Sequence, residues 1–140
     1  MAESSAAEYE QIMSDYTALW NGEFSNLDVV AESVDLVHPS APDGELHGRE
    51  ALDGFIRKYH SAFPDFHITV HDWIARDGVV MKEYTMTGTH EGEFKGVPPT
   101  GRAVESPGMG KILIADGQVQ EDRLYFNQLA ALEQLGLSVE

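Results

Sequence analysis

Six histidines, at positions 38, 47, 60, 67, 71 and 90, are the side chains of this sequence that titrate nearest neutrality. Held beside a small-molecule pocket, a histidine could pass a proton to and from a substrate without any cofactor. His90 and His38 are the best placed. His90 closes a stretch whose one face carries Val80, Lys82, Tyr84, Met86 and Gly88, and His38 follows the apolar run VDLV at the start of the turn-rich segment HPSAPDGELHG. For both, a polar rim or turn position is the competing explanation. His47 and His60 lie near the two ends of a helical segment, where capping or exposure accounts for them. His67 and His71 alternate with Thr69 on a face expected to meet solvent. Neither His-Glu-x-x-His nor His-x-His occurs, so no metal site is expected. Cysteine is absent, which removes disulfides, thiolate nucleophiles and cysteine-ligated zinc together.

Tyrosines are the second group with chemical potential, as hydroxyl donors to a developing oxyanion. Tyr16 and Trp20 stand four residues apart on one helical face, which plain core packing explains and ligand contact would also suit. Tyr84 and Met86 lie on the face that ends in His90. Arg123, Tyr125 and Asn127 share one face of the stretch EDRLYFN with Glu121, while Asp122, Leu124 and Phe126 take the other. The polar set is expected to floor a pocket. Within EGEFKGVPPTGR, residues 91–102, the GVPPTGR part reads as a rigid turn. Alternatively the loop is a lid that brings Phe94 and Val97 to a ligand and Arg102 to an anionic substituent.

The elements that must position these residues follow from periodicity. Residues 5–21 place Tyr9, Ile12, Met13, Tyr16, Leu19 and Trp20 on one helical stripe ended by Asn21-Gly22. A short helix is expected over Leu27 to Glu32, behind Ser25 and Asn26 as caps, and a third over residues 48–62. VDLVH, residues 34–38, reads as a short strand. From residue 66 the period becomes two. Phe66, Ile68, Val70 and Ile74 alternate with His67, Thr69, His71 and Trp73, and Asp77-Gly78 then makes a tight hairpin. Strands over 79–90 and from about Val104 to Ala115 follow, with a second hairpin at Asp116-Gly117. Helices first and hairpin-linked strands after imply an α+β fold. A cone-shaped cavity between a curved, mostly antiparallel sheet and three N-terminal helices is the expected home of a site.

The segments HGREALDGFIRKYHSAFPD (47–65), GTHEGEFKGVPPTGR (88–102) and DGQVQEDRLYFNQLAALEQLG (116–136) resemble the SnoaL-like polyketide cyclases of the nuclear-transport-factor-2-like superfamily. The resemblance implies a conical α+β barrel and a cofactor-free intramolecular aldol condensation. It also implies an acid near the end of the last strand, in a pattern Glu-x-Trp-x-x-x-Asp before QLG. This chain has Arg123 where the tryptophan stands and Asn127 where the aspartate stands. A carboxamide cannot exchange a proton near neutral pH, though it can donate to an oxyanion. Asn127 is therefore either such a donor or a helix N-cap. Ketosteroid isomerases share the fold and pair a tyrosine hydroxyl with an acid. Tyr16, Tyr84 and Tyr125 are all open to that role.

At 140 residues the chain is expected to form one domain over 1–140. Its net charge of −15, from 24 acids and 9 bases, would repel nucleic acid and anionic membrane. It fits a surface adapted to concentrated salt or an acidic mesophilic protein. The acidic start MAESSAAEYE lacks the apolar segment of a signal peptide, so a cytoplasmic location is expected. The residues together lead to a protein that binds a small, largely apolar carbonyl compound, with no cofactor. Cyclase- or isomerase-type acid–base chemistry could follow. The alternatives are a non-catalytic ligand binder and an interaction module. Homodimerisation is expected through the outer sheet face, to which residues 67–73 would contribute.

Overall fold

The computed structural model describes residues 5–137; residues 1–4 of the acidic N-terminal stretch and residues 138–140 lie outside it. Helix α1, Ala6–Trp20, starts at a reciprocal cap. The Ser5 hydroxyl accepts from the Glu8 amide, and the Glu8 carboxylate accepts from the Ser5 amide, each at 3.2 Å. Its buried residues are the six apolar and aromatic ones of the expected stripe. The Asn21 amide then ties the helix end to the sheet, donating to the Ile68 carbonyl at 3.0 Å and accepting from the Ile68 amide at 2.6 Å. Helix α2, Arg49–Ala62, buries Leu52, Ile56, Tyr59 and Ala62.

Between these helices the outcome departs from the sequence reading. A 3-10 helix covers Phe24–Val29, and strand β1 takes Val30–Val37, absorbing the second half of the expected helix. The β-branched residues Val29, Val30 and Val34 favour extended backbone, and β1 gains a ladder along the last strand, which a local helix cannot offer. Strand β2, Glu45–His47, was not foreseen; it pairs antiparallel with β1.

Strands β3 (His67–Arg76), β4 (Val79–Thr89), β5 (Ala103–Ala115) and β6 (Gln118–Phe126) form the antiparallel meander, and α3 (Gln128–Gln134) follows. The sheet order is β2-β1-β6-β5-β4-β3, with β1 parallel to β6. It is thus a mixed sheet, curled and unclosed rather than a complete barrel, because β2 and β3 do not pair. Helix α1 packs on β3 and β6, α2 on β1 and β2, and α3 on β5. Among the described residues, α1, the 3-10 helix Phe24–Val29, a short 3-10 turn over Pro42–Gly44 and α2 are the helical elements that precede the meander; α3 lies after it.

A register shift between Val70 and Asp72 breaks the alternation of β3. An extra residue there exchanges the two faces beyond it. Ile74, expected on the buried face with Ile68, is consequently 71% exposed, while Trp73 packs against the core.

Candidate functional site

The inner face of the sheet has two contrasting ends. At the closed end, Tyr84 and Lys82 of β4 stand opposite Gly108 and Gly110 of β5. A β-carbon on Gly108 would lie 2.5 Å from the Tyr84 hydroxyl, and one on Gly110 would lie 2.9 Å from Lys82 Cε. Glycine at both positions lets two long side chains of β4 lie flat across β5 toward β6. Lys82 Nζ thereby comes within 3.9 Å of Asp122 Oδ2, to which the Tyr16 hydroxyl donates at 2.6 Å. The ammonium also stands 5.5 and 5.3 Å from the ring centres of Tyr16 and Tyr84.

All four residues are buried. Burial raises the Asp122 pKa, against the opposing pull of Lys82 and the Tyr16 hydrogen bond. Burial, and then the Asp122 charge, push the Tyr16 and Tyr84 phenols up, so both keep their protons. Asp122 Oδ1 and the Tyr84 hydroxyl have no partner among the described residues. Sequence reasoning placed Asp122 on the apolar face of β6 and Lys82 on the apolar face of β4 without connecting them. Two inward stripes, each interrupted by a charge of opposite sign, were the available signal of a buried pair.

The other end is apolar and open. Phe63, Phe66, Phe94, Phe126 and Met86 wall a cavity of about 50 Å³ beneath α3, closed by Ala131 and Leu132 of the helix and by Leu135 at its C-cap. That is room for a few waters rather than for a drug-sized ligand. Its polar lining is neutral, with the hydroxyls of Ser40, Tyr59, Thr87 and Ser106 and the amide of Gln128. Gln128 donates to Ser40 Oγ at 2.9 Å, tying the start of α3 to the loop after His38. Burial pushes the Tyr59 phenol up to about 12. Ser40, Tyr59 and Phe94 also line a broad vestibule of about 640 Å³.

His38 stands directly behind this wall, its ring centre 5.2 Å from that of Phe126, 5.7 Å from Tyr59 and 4.8 Å from Phe55. Trp20 stacks on it at 6.1 Å with an interplanar angle of 12°. The Ser40 amide donates to His38 Nδ1 at 3.0 Å. Desolvation, then the charge of Lys95, lower its pKa to about 3. The ring is therefore neutral at ordinary pH, and with Nδ1 accepting, the proton sits on Nε2. That Nε2 is buried without a partner among the described residues.

His90 is also fully buried, beneath Phe63. The Thr100 amide donates to its Nδ1 at 3.2 Å, and the Thr100 hydroxyl lies 3.0 Å from the same nitrogen. Its backbone bonds with Gly101 and Arg102 close the loop 91–102. Its Nε2 likewise has no partner among the described residues.

The polar face of β6 lies opposite to where the sequence reading put it. Asp122 and Leu124 point into the core, whereas Tyr125 is 56% exposed on the outer face and Arg123 pairs there with Glu121 at 3.0 Å. Asn127 is exposed and caps α3, its Oδ1 accepting from the Ala130 amide at 3.0 Å. None of Arg123, Tyr125 and Asn127 lines the cavity. The reason is register: Asp122 is opposite buried Ile112 on one side and buried Leu36 on the other. Of the other named positions, Tyr16 and Trp20 are buried beside the closed end, and Met86 and Phe94 line the cavity. In the loop 91–102, Val97 pairs with Phe94 rather than reaching the cavity, and the Arg102 guanidinium packs at Gly136. Among the described residues, no three acids or histidines are grouped so as to hold a metal ion, and no helix is long and apolar enough to cross a membrane.

A curled mixed sheet packed by helices, with an apolar pocket at one end, defines a cone-shaped α+β protein of the nuclear-transport-factor-2-like type. Within that class the chain belongs to the SnoaL-like polyketide cyclase family, whose profile matches residues 10–135. Among solved structures it is similar to TsrD from Streptomyces laurentii, at 24% identity over 96% of this chain and 98% of that one, with a TM-score of 0.84. AclR from Streptomyces galilaeus is 27% identical over 97% and 89% of the two chains, with a TM-score of 0.80. IdmH from Streptomyces antibioticus is 26% identical over 91% and 98%, with a TM-score of 0.78. No curated protein matches the sequence.

Proposed function

We propose that this protein binds a small, largely apolar carbonyl compound in the cavity beneath α3 and its vestibule, with the Nε2–H of His38 as donor to the carbonyl oxygen. The observation that carries this reading is that buried, unpaired N–H behind an apolar wall. A buried donor left without an acceptor is destabilising by about 1–3 kcal/mol, and a ligand oxygen removes that deficit. Such an oxygen reaches the His38 ring only if the Phe126 ring, 5.2 Å away, turns aside. A hydrogen bond from a neutral imidazole polarises a carbonyl and acidifies the carbon beside it. That is the first step common to aldol cyclisation and double-bond isomerisation, and neither needs a cofactor.

A second reading, a non-catalytic carrier with the same pocket, is favoured by the wholly neutral cavity lining. Binding and turnover are separable by experiment. Infrared difference spectra of a carbonyl-13C aryl β-keto ester should show the carbonyl band shifted to lower frequency on binding, and unshifted in His38→Phe. A bound ligand with an unshifted band in the native protein would remove His38 from the site. Deuterium uptake at the ligand's α-carbon in heavy water, faster than in buffer alone, distinguishes the enzyme from the carrier.

For assembly we propose a homodimer through the outer sheet face. Ile74 and Met81 are directly paired and exposed there, as are Met109 and Tyr125. Sedimentation of Met109→Glu should give a monomer where the native chain gives a dimer; a monomeric native chain would end that reading.

A further inference from the structure

We infer that the ligand carries an anionic group, a carboxylate, bound at the vestibule by Lys58 and Lys95. This rests on the reading of the cavity given above and adds the substrate class. Lys58 of α2 and Lys95 of the turn after Phe94 both line the vestibule, directly outside the apolar cavity. They are two of only four lysines in a chain of net charge −15. Neither makes an ion pair among the described residues, whereas Lys82 does. Glu93 is the acid on the same rim, and it lies beyond ion-pair distance of both. Two lysines against one glutamate leave this rim net positive on a strongly negative molecule. Such a spot draws anions out of solution toward the pocket.

The backbone at Lys95 gives a second, independent argument. Among the described residues, four non-glycine residues have positive φ, each followed by glycine: Asp43, Asp77, Asp116 and Lys95. Aspartate tolerates this left-handed region through its short polar side chain; lysine gains nothing comparable. Lys95 has φ 49° and Gly96 φ 81°, inside a tight turn closed by hydrogen bonds of 3.0 and 2.8 Å between Phe94 and Val97. Three turns use the residue the conformation favours. The fourth, at the cavity mouth, holds a lysine against that preference. Its charge also reaches inward as far as His38. The loop's arginine, Arg102, is packed at Gly136 and is not part of this rim.

The ligand that fits is an aryl or alicyclic keto acid, its apolar body against the aromatic side of the roughly 640 Å³ vestibule at the cavity mouth and its carboxylate toward the two lysines. Isothermal titration with 4-oxo-4-phenylbutanoate and its methyl ester tests this directly. The native protein should bind the acid roughly three- to tenfold tighter than the ester, the range expected of two exposed charge pairs. The preference should vanish in about 1 M salt, where charges are screened beyond ~3 Å. Lys58→Gln/Lys95→Asn should equalise the two ligands by weakening the acid alone; asparagine keeps the turn favourable. Equal binding of acid and ester by the native protein overturns the carboxylate site and leaves the cavity reading standing. An acid preference that survives in the double variant also overturns it. Failure of both compounds to bind overturns the cavity reading and this one together.

Discussion

The closed end and the cavity end of this molecule are built on the inner faces of the same strands, yet they divide the chemistry between them. The closed end has the ionisable groups, Asp122 and Lys82, both buried and paired. The cavity end has room and only neutral lining groups. Titratable side chains buried in a core do not by themselves mark a site. Asp122 Oδ2 is held by Lys82 and the Tyr16 hydroxyl, and the unpaired Asp122 Oδ1 and Tyr84 hydroxyl lie sealed in the core, whereas His38 keeps an unused N–H behind the cavity wall. An unpaired group next to a cavity, rather than the most perturbed one, points to the ligand.

The largest expected effect tests whether His38 is held neutral by burial. Its pKa in the folded chain, about 3, lies below the ordinary 6.5, so the unfolded chain takes up this proton first as pH falls. Its contribution to stability is complete above pH 6.5 and is lost progressively toward pH 3, by on the order of 4–5 kcal/mol. Urea denaturation across this window should show that slope in the native protein and a flatter one in His38→Gln. Equal slopes would mean that the ring titrates freely.

Asp122→Ala should lower stability by about 3–5 kcal/mol, since it strands a buried ammonium. Lys82→Met/Asp122→Leu should recover most of that loss, because the charge pair is replaced by apolar packing. If Asp122→Ala folds normally but loses ligand, the closed end is the site after all. Gly108→Ala should cost about 1–3 kcal/mol, as the Tyr84 ring is forced off β5; circular dichroism melting measures it. The smallest effects belong to Asn127. Asn127→Ala should lose about 1 kcal/mol of capping, and Asn127→Asp should stay within about 0.5 kcal/mol of the native protein. Cyclase activity gained by Asn127→Asp would return the site to the end of β6.

How much of this was legible in advance is clearest along β4 and β6. On β4 the alternation from Val80 to His90 is unbroken, its apolar members are buried, and the reading of faces held. On β6 the same alternation was plain, but the wrong face was chosen as the pocket floor. Polar side chains in a row look equally like a pocket and like an outer surface. The Val70–Asp72 bulge had no local signature either, and it moved Ile74 into the open. The vestibule lysines come from α2 and a turn 37 residues later, a pairing that no spacing could announce.

The sequence by itself determined the two long helices, the strands of the meander, the two Asp-Gly hairpins and the family, because period, turn chemistry and motif are local. It also determined that an amide stands where the family pattern has an acid. Only the tertiary structure decided which face of each strand is inside, that Asp122 meets Lys82 and Tyr16, and that His38 is left with an unpaired proton beside a cavity. Those outcomes depend on register and on neighbours far apart in the chain, where a shift of one residue exchanges core for surface.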